Sequence, residues 1–207
     1  MKSLIIKLIF VILLLPIGSG WAAESEPVLL VYGDSLSAAY GIAEEDGWVN
    51  LLTQKLEQES FSFEVVNGSV SGETTVGGLA RLPAMLNSFS PALVILELGA
   101  NDGLRGLPLT VIRENLLTMI DLIQQSGADV LLAGIQIPPN YGPRYTLPFF
   151  EQFIDIAKDK DLPLVPFLID RIPQQPELMQ NDGLHPKAEA QFMILENVWP
   201  VLQPMLK

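Results

Sequence analysis

The chain has 207 residues, no cysteine, and 24 Asp and Glu against 12 Lys and Arg, a formal net charge of −12. That balance argues against a nucleic-acid binder, which needs clustered Lys and Arg to meet phosphates, and it repels anionic membrane surfaces. The missing cysteine rules out disulfide staples and a lipid-anchored lipoprotein, while 49% hydrophobic residues are ample for a packed core.

Residues 1–22 read as a leader to be removed. Lys2 and Lys7 flank its start, an apolar run extends through Leu15, and Gly20-Trp21-Ala22 offers small residues for cleavage. The run from Leu8 to Ile17 is about half of the roughly 20 apolar residues that a spanning helix needs, so export is expected rather than a stable membrane anchor. Cleavage after Ala22 takes two lysines and no acidic residue, leaving 185 residues with a net charge near −14. Residues 23–207 suit a single domain.

Val28 to Tyr32 is an apolar run that ends at Gly33-Asp34-Ser35, a buried strand feeding a turn that lifts the Ser35 hydroxyl to the rim of a sheet. The plainer reading is that Asp34 or Ser35 caps a following helix. Gly41 to Gly47 is a loop, and Trp48, Leu51, Leu52 and Leu56 recur at helical spacing to about Ser60. Phe63 to Asn67 predicts a second strand. Gly68 to Thr74 is a loop of glycine and serine entering a helix with Val76, Leu79 and Leu86, which Pro83 is expected to end or bend. Leu93 to Leu98 predicts a central parallel strand, apolar on both faces except for Glu97, which should be satisfied by hydrogen bonds.

The loop Gly99 to Gly103 follows, then a helix from Thr110 to about Gln125 with Gly127 as terminator. Val130 to Ile135 supplies a fourth strand. Gln136 to Thr146 reads as a long loop, Leu147 to Asp159 as a helix, and Leu164 to Phe167 as a short fifth strand. A proline-punctuated segment leads to the loop Asn181-Asp182-Gly183-Leu184-His185, and Pro186 suits the first turn of a last helix running towards Trp199. Strands alternating with helices imply an α/β fold, a parallel sheet covered on both faces, with ligands beyond the carboxyl ends of its strands. The loops bearing Ser35, Gly72 and Asn101 should therefore share one rim.

A serine hydroxyl needs a base to become a nucleophile, and histidine is the usual one. His185 is the only histidine, and Asp182 lies three residues before it, close enough to hold the imidazole by its other nitrogen. Acyl transfer also needs donors for the oxygen that turns negative, and the candidates are the N–H of Ser35, the N–H of Gly72 and the side-chain amide of Asn101. Each of these segments could be an ordinary turn; together, in the right loops, they point to a catalytic set. Apolar Leu104, Leu107, Ile137 and Tyr141 are expected to wall an acyl groove beside it. Gly-x-Ser-x-Gly is absent because position 37 is serine, which disfavours an α/β-hydrolase elbow. One histidine and no cysteine leave no metal-hydrolase pattern.

Four blocks now resemble the SGNH or GDSL hydrolase family: Gly33-Asp34-Ser35-Leu36, Gly72, Gly99-Ala100-Asn101-Asp102, and Asp182-Gly183-Leu184-His185-Pro186. Ala80-Arg81-Leu82-Pro83, Leu98 to Gly106 and Pro139-Asn140-Tyr141-Gly142 are similar to the bacterial thioesterase I, protease I and lysophospholipase group. The resemblance implies a flavodoxin-like three-layer α/β/α sandwich with a five-stranded parallel sheet, no metal or organic cofactor, and hydrolysis of acyl thioesters, lysophospholipids and simple esters in the periplasm or outside the cell. Ala100 stands where relatives often have a second glycine, and Gln136 and Pro143 where they often have arginines. A small acyl ester or lipid is the expected partner, with no nucleic acid, and the chain is expected to be a monomer. The alternatives are a carbohydrate or peptidoglycan O-acetylesterase and a catalytically silent binding module.

Overall fold

The computed structural model describes residues 26–206, so the expected leader at 1–22 lies outside the described residues. Five parallel strands, β1 (Val28–Gly33), β2 (Glu64–Asn67), β3 (Leu93–Glu97), β4 (Asp129–Ala133) and β5 (Leu164–Val165), form one sheet in the order β2-β1-β3-β4-β5. Between them run α1 (Trp48–Gln58), α2 (Thr75–Phe89), α3 (Ala100–Leu104), α4 (Leu109–Gln125) and α5 (Pro143–Lys160), and α6 (Gln191–Leu202) follows β5.

The continuous apolar runs of β1, β3 and β4 are explained by two covered faces, because alternate side chains of a strand point to opposite sides. Leu30, Tyr32, Val94, Leu96, Val130 and Leu132 pack with side chains of α2, α4 and α5. Leu29, Val31, Leu93, Ile95, Leu131 and Ala133 pack with those of α1 and α6. This is the expected three-layer α/β/α sandwich. Each fully buried aliphatic side chain in these layers stabilises the fold by about 1.5–3 kcal/mol.

Several details differ from the sequence expectation. α2 does not end at Pro83 but continues to Phe89, with Pro83 itself exposed. α5 starts at Pro143 rather than Leu147, since proline suits a first helical turn. Pro186 instead pairs with Met179 in an isolated antiparallel bridge, and the last helix begins only at Gln191. Asn101 lies in the short helix α3 rather than in a simple turn. No helix among the described residues is long and apolar enough to cross a membrane.

Candidate active site

β1 ends at Gly33, and residues 34–41 form a turn that does not become a helix. Two backbone bonds hold it, Ala38 N–H to Asp34 O at 2.9 Å and Tyr40 N–H to Ser35 O at 3.2 Å. The Asp34 carboxylate accepts the Leu36 N–H at 3.1 Å. Neither Asp34 nor Ser35 caps a helix, so the plainer reading of this stretch falls away.

Ser35 Oγ lies 2.8 Å from His185 Nε2, across 150 positions of sequence. His185 Nδ1 lies 2.7 Å from Asp182 Oδ2. The other Asp182 oxygen accepts the N–H groups of Leu184 and His185, at 2.9 and 3.1 Å, which folds the loop around the carboxylate. Partial burial pushes the Asp182 carboxyl upward, but the His185 ring, these two N–H groups and the imidazole charge outweigh it, and it stays below the ordinary carboxylate range. An ionised Asp182 accepts a hydrogen bond from Nδ1–H, which keeps the proton on that nitrogen and leaves Nε2 free to accept from Ser35.

The loop is anchored at its base. Gln180 N–H donates to His185 O at 2.8 Å, and the Gln180 amide donates to Tyr40 O at 2.8 Å. Gln180 thus ties the histidine loop to the serine turn. Tyr40 itself lies against the imidazole, with ring centroids 4.5 Å apart. Sequence reasoning missed both residues, because neither carries a local signal; only the meeting of distant loops gives them a role.

Ser35, Gly72, Asn101 and His185 line one cavity of about 270 Å³ at the carboxyl ends of β1, β3 and β4. The three loops expected to share a rim do share it. Among the described residues, neither the Ser35 N–H nor the Gly72 N–H is used in a backbone bond. Gly72 has φ of +81°, a conformation that favours glycine, and its carbonyl accepts from Arg105 at 3.3 Å. Asn101 Nδ2 donates to Asp34 Oδ2 at 3.0 Å, leaving its second N–H for a ligand. Next to it, the buried Asp102 accepts the N–H and hydroxyl of Thr75 at 2.8 and 2.6 Å, joining the start of α2 to α3. Asp34 is buried, and desolvation pushes its carboxyl up to about 6 against the bonds from Leu36 and Asn101 and the charge of His185.

Of the four residues expected to wall the groove, Leu104 and Ile137 line the cavity and Leu107 and Tyr141 do not. Tyr141 braces the wall from behind, its hydroxyl donating to Leu104 O at 2.9 Å. Leu107 turns to the core, where Tyr145 donates to its carbonyl at 2.7 Å. Leu36, Ile135, Phe167 and Leu184 supply the apolar surface in their place. A second cavity of about 490 Å³ adjoins the first along Gln136, Ile137, Pro138, Phe167, Ile169 and Leu184.

The site contains groups for activating a hydroxyl, moving a proton and stabilising a negative oxygen, beside an apolar cavity: the chemistry of acyl transfer through a serine. Comparison with known proteins gives a family model, described as the GDSL-like lipase/acylhydrolase family, that matches residues 31–191. The chain is 49% identical over 178 residues to esterase TesA of Pseudomonas aeruginosa, covering 86% of this chain and 89% of that protein. It is 39% identical over 184 residues to thioesterase 1/protease 1/lysophospholipase L1 of Escherichia coli K12, covering 89% and 87% respectively. Among solved structures, the psychrotrophic esterase EstA from a Pseudoalteromonas species, inhibited by monoethylphosphonate, superposes with a TM-score of 0.83 at 42% identity, covering 87% of this chain and 99% of that one.

Proposed function

We propose a function from the premise that the chain belongs to the GDSL-like lipase/acylhydrolase family. It is a serine hydrolase of ester and thioester bonds, like the esterases and thioesterase it matches. In our reading Ser35 Oγ attacks the acyl carbonyl while its proton passes to His185 Nε2. Asp182 holds the imidazolium, and the N–H groups of Ser35, Gly72 and Asn101 take up the charge on the carbonyl oxygen. The intermediate collapses, His185 returns the proton to the departing alcohol or thiol, and water, activated by the same imidazole, frees the acid and restores Ser35.

The observation that carries this reading is the continuous contact from Ser35 Oγ through His185 to Asp182 at the mouth of an apolar cavity. A set of acting groups contained in one chain supports a monomeric working unit. The leader read at 1–22 supports export to the periplasm or beyond. Acyl-CoA is a cytoplasmic compound, so an exported enzyme is better matched to lipid or simple esters, and the cavity lining, which has no Lys or Arg, agrees with an uncharged acyl group.

The test is covalent labelling with an organophosphonate beside turnover of an acyl ester. The expected result is one adduct per chain, on Ser35, with both adduct and turnover lost in Ser35→Ala. Folded protein that takes up no adduct on Ser35 overturns the reading. Comparing acetyl with decanoyl esters separates an acyl hydrolase from an O-acetylesterase.

A further inference from the structure

β3 carries a carboxyl group into an otherwise apolar sheet. Glu97 is fully buried, and its two oxygens are treated differently. Oε2 accepts the Ser37 hydroxyl at 2.8 Å and the Asp34 N–H at 3.2 Å, so it holds both ends of the short turn that presents Ser35. Oε1 has no hydrogen-bond partner, so the expectation that hydrogen bonds satisfy this residue holds for Oε2 alone. The backbone makes room for the group. Gly33 is the register partner of Glu97, and a Cβ at Gly33 would overlap Oε2.

Among the described residues no Lys or Arg forms an ion pair with Glu97 or Asp34. The charged group facing Glu97 is Asp34, and Asp102 and His185 act in turn on Asp34. A buried carboxylate with one oxygen unpaired and an anion as neighbour is a costly arrangement; a neutral acid in the same place gives up only one hydrogen bond. Burial above all, and then the Asp34 charge, push the Glu97 carboxyl well above its ordinary range.

We propose that Glu97 is a positioning residue that works as a neutral carboxylic acid: it clamps the Ser35 turn and leaves the local negative charge to Asp34, which keeps the Asn101 amide aimed at the reacting carbonyl oxygen. The inference rests on the esterase reading above. Two adjacent buried carboxyls cannot both ionise readily. With the charge on Asp34, Oδ2 accepts from Asn101 Nδ2, and the second N–H of that amide faces the cavity. With the charge on Glu97, a protonated Asp34 becomes a donor, and the amide is free to turn its oxygen towards the place where the oxyanion forms.

The experiment compares wild type, Glu97→Gln and Glu97→Ala by infrared difference spectroscopy at neutral pH and by steady-state kinetics on a short acyl ester. Wild type is expected to show the carbonyl stretch of a protonated carboxylic acid that Glu97→Gln lacks. Glu97→Gln, neutral and of the same shape, is expected to keep kcat within about threefold, while Glu97→Ala loses about 100-fold in kcat with KM nearly unchanged, as when an oxyanion donor is lost. Absence of the acid band, a Glu97→Gln as impaired as Glu97→Ala, or an undiminished kcat in Glu97→Ala each overturns the inference. If Glu97→Ala does not fold, the infrared comparison and the Glu97→Gln kinetics decide the matter alone. A wild type that turns over no acyl ester ends the functional reading instead, and the acid band is still there to be read.

Discussion

Tyr40 covers the imidazole of His185, the two rings 4.5 Å apart with their planes tilted by 41°. The contact gains weight during reaction, because the ring beneath Tyr40 becomes a cation when it takes the Ser35 proton, and an aromatic face favours a cation by about 0.5–1 kcal/mol at an exposed site. Tyr40 is 50% exposed. Tyr40→Ala is therefore expected to lower kcat about 2- to 5-fold, and Tyr40→Phe to leave it unchanged. Kinetics on an acetyl ester isolate the effect from the part of the cavity wall that Tyr40 also supplies. A Phe variant as slow as the Ala variant would show that the hydroxyl, not the ring face, matters.

Asp182 acts on the reaction only through His185. Asp182→Asn keeps an acceptor for the Leu184 and His185 N–H groups but presents an amide or a neutral oxygen to Nδ1, which favours the wrong tautomer. The expected outcome is a fall in kcat of about 10⁴-fold with little change in KM. Because the carboxylate is partly exposed, its contribution to folding is screened, and a melting curve close to that of wild type is expected alongside the lost activity.

Asp34 sets stability against function. Its carboxyl is raised from 3.8 to about 6 by burial, so the folded state binds its proton more tightly than the unfolded chain does. This group therefore favours folding fully below pH 3.8, and that contribution is lost as pH rises through about 6. The loss is on the order of 3 kcal/mol, since each pKa unit is worth about 1.36 kcal/mol. Asp34→Asn cannot titrate, so its stability relative to wild type is expected to rise between about pH 4 and about pH 7 in urea titrations. Its kcat at neutral pH is expected to fall several-fold, because Asn101 loses a charged acceptor. A stability difference that does not vary with pH would show that burial does not raise the Asp34 carboxyl, and one that keeps rising well above pH 7 would show that Asp34 is not the ionised partner of Asn101.

How much of this was legible in the sequence varies with the range of the interactions. β1 and β3 could be read because strands buried on both faces must be apolar throughout, and α1 and α4 because their apolar residues recur at helical spacing. Ser35, His185 and Asp182 could be placed together because few residue types can do acyl chemistry and this chain has one histidine. The sequence misplaces Leu107 and Tyr141 because an apolar loop residue serves equally well as cavity wall, as core like Leu107 or as an outer brace like the exposed Tyr141, and only packing decides which. Gln180 and Tyr40 were invisible because their roles arise where the serine turn meets a loop about 140 positions away. Glu97 stands out in the sequence as an exception in its strand, but that one of its oxygens is unpaired is a property of the packed interior, not of composition.

The paired cavities predict how the enzyme discriminates chain length. The first, about 270 Å³, holds Ser35 and suits a short acyl group; the second, about 490 Å³, opens beyond Ile137 and Leu184. Its lining contains no Lys, Arg, Asp or Glu, so an uncharged chain that outgrows the first cavity can continue into it without stripping water from a charge. Leu147 stands at its edge in the first turns of α5, 57% exposed, where a larger side chain can enter the cavity without disturbing the core. Leu147→Trp should then exclude about two methylenes from burial at about 0.8 kcal/mol each, which is roughly tenfold in KM for a hexadecanoyl ester. Butanoyl ester, which does not reach so far, should be hydrolysed as by wild type, and that control also reports that the variant is folded. An unchanged KM for the hexadecanoyl ester would mean that long chains leave the first cavity by another route, past Leu104 rather than past Ile137.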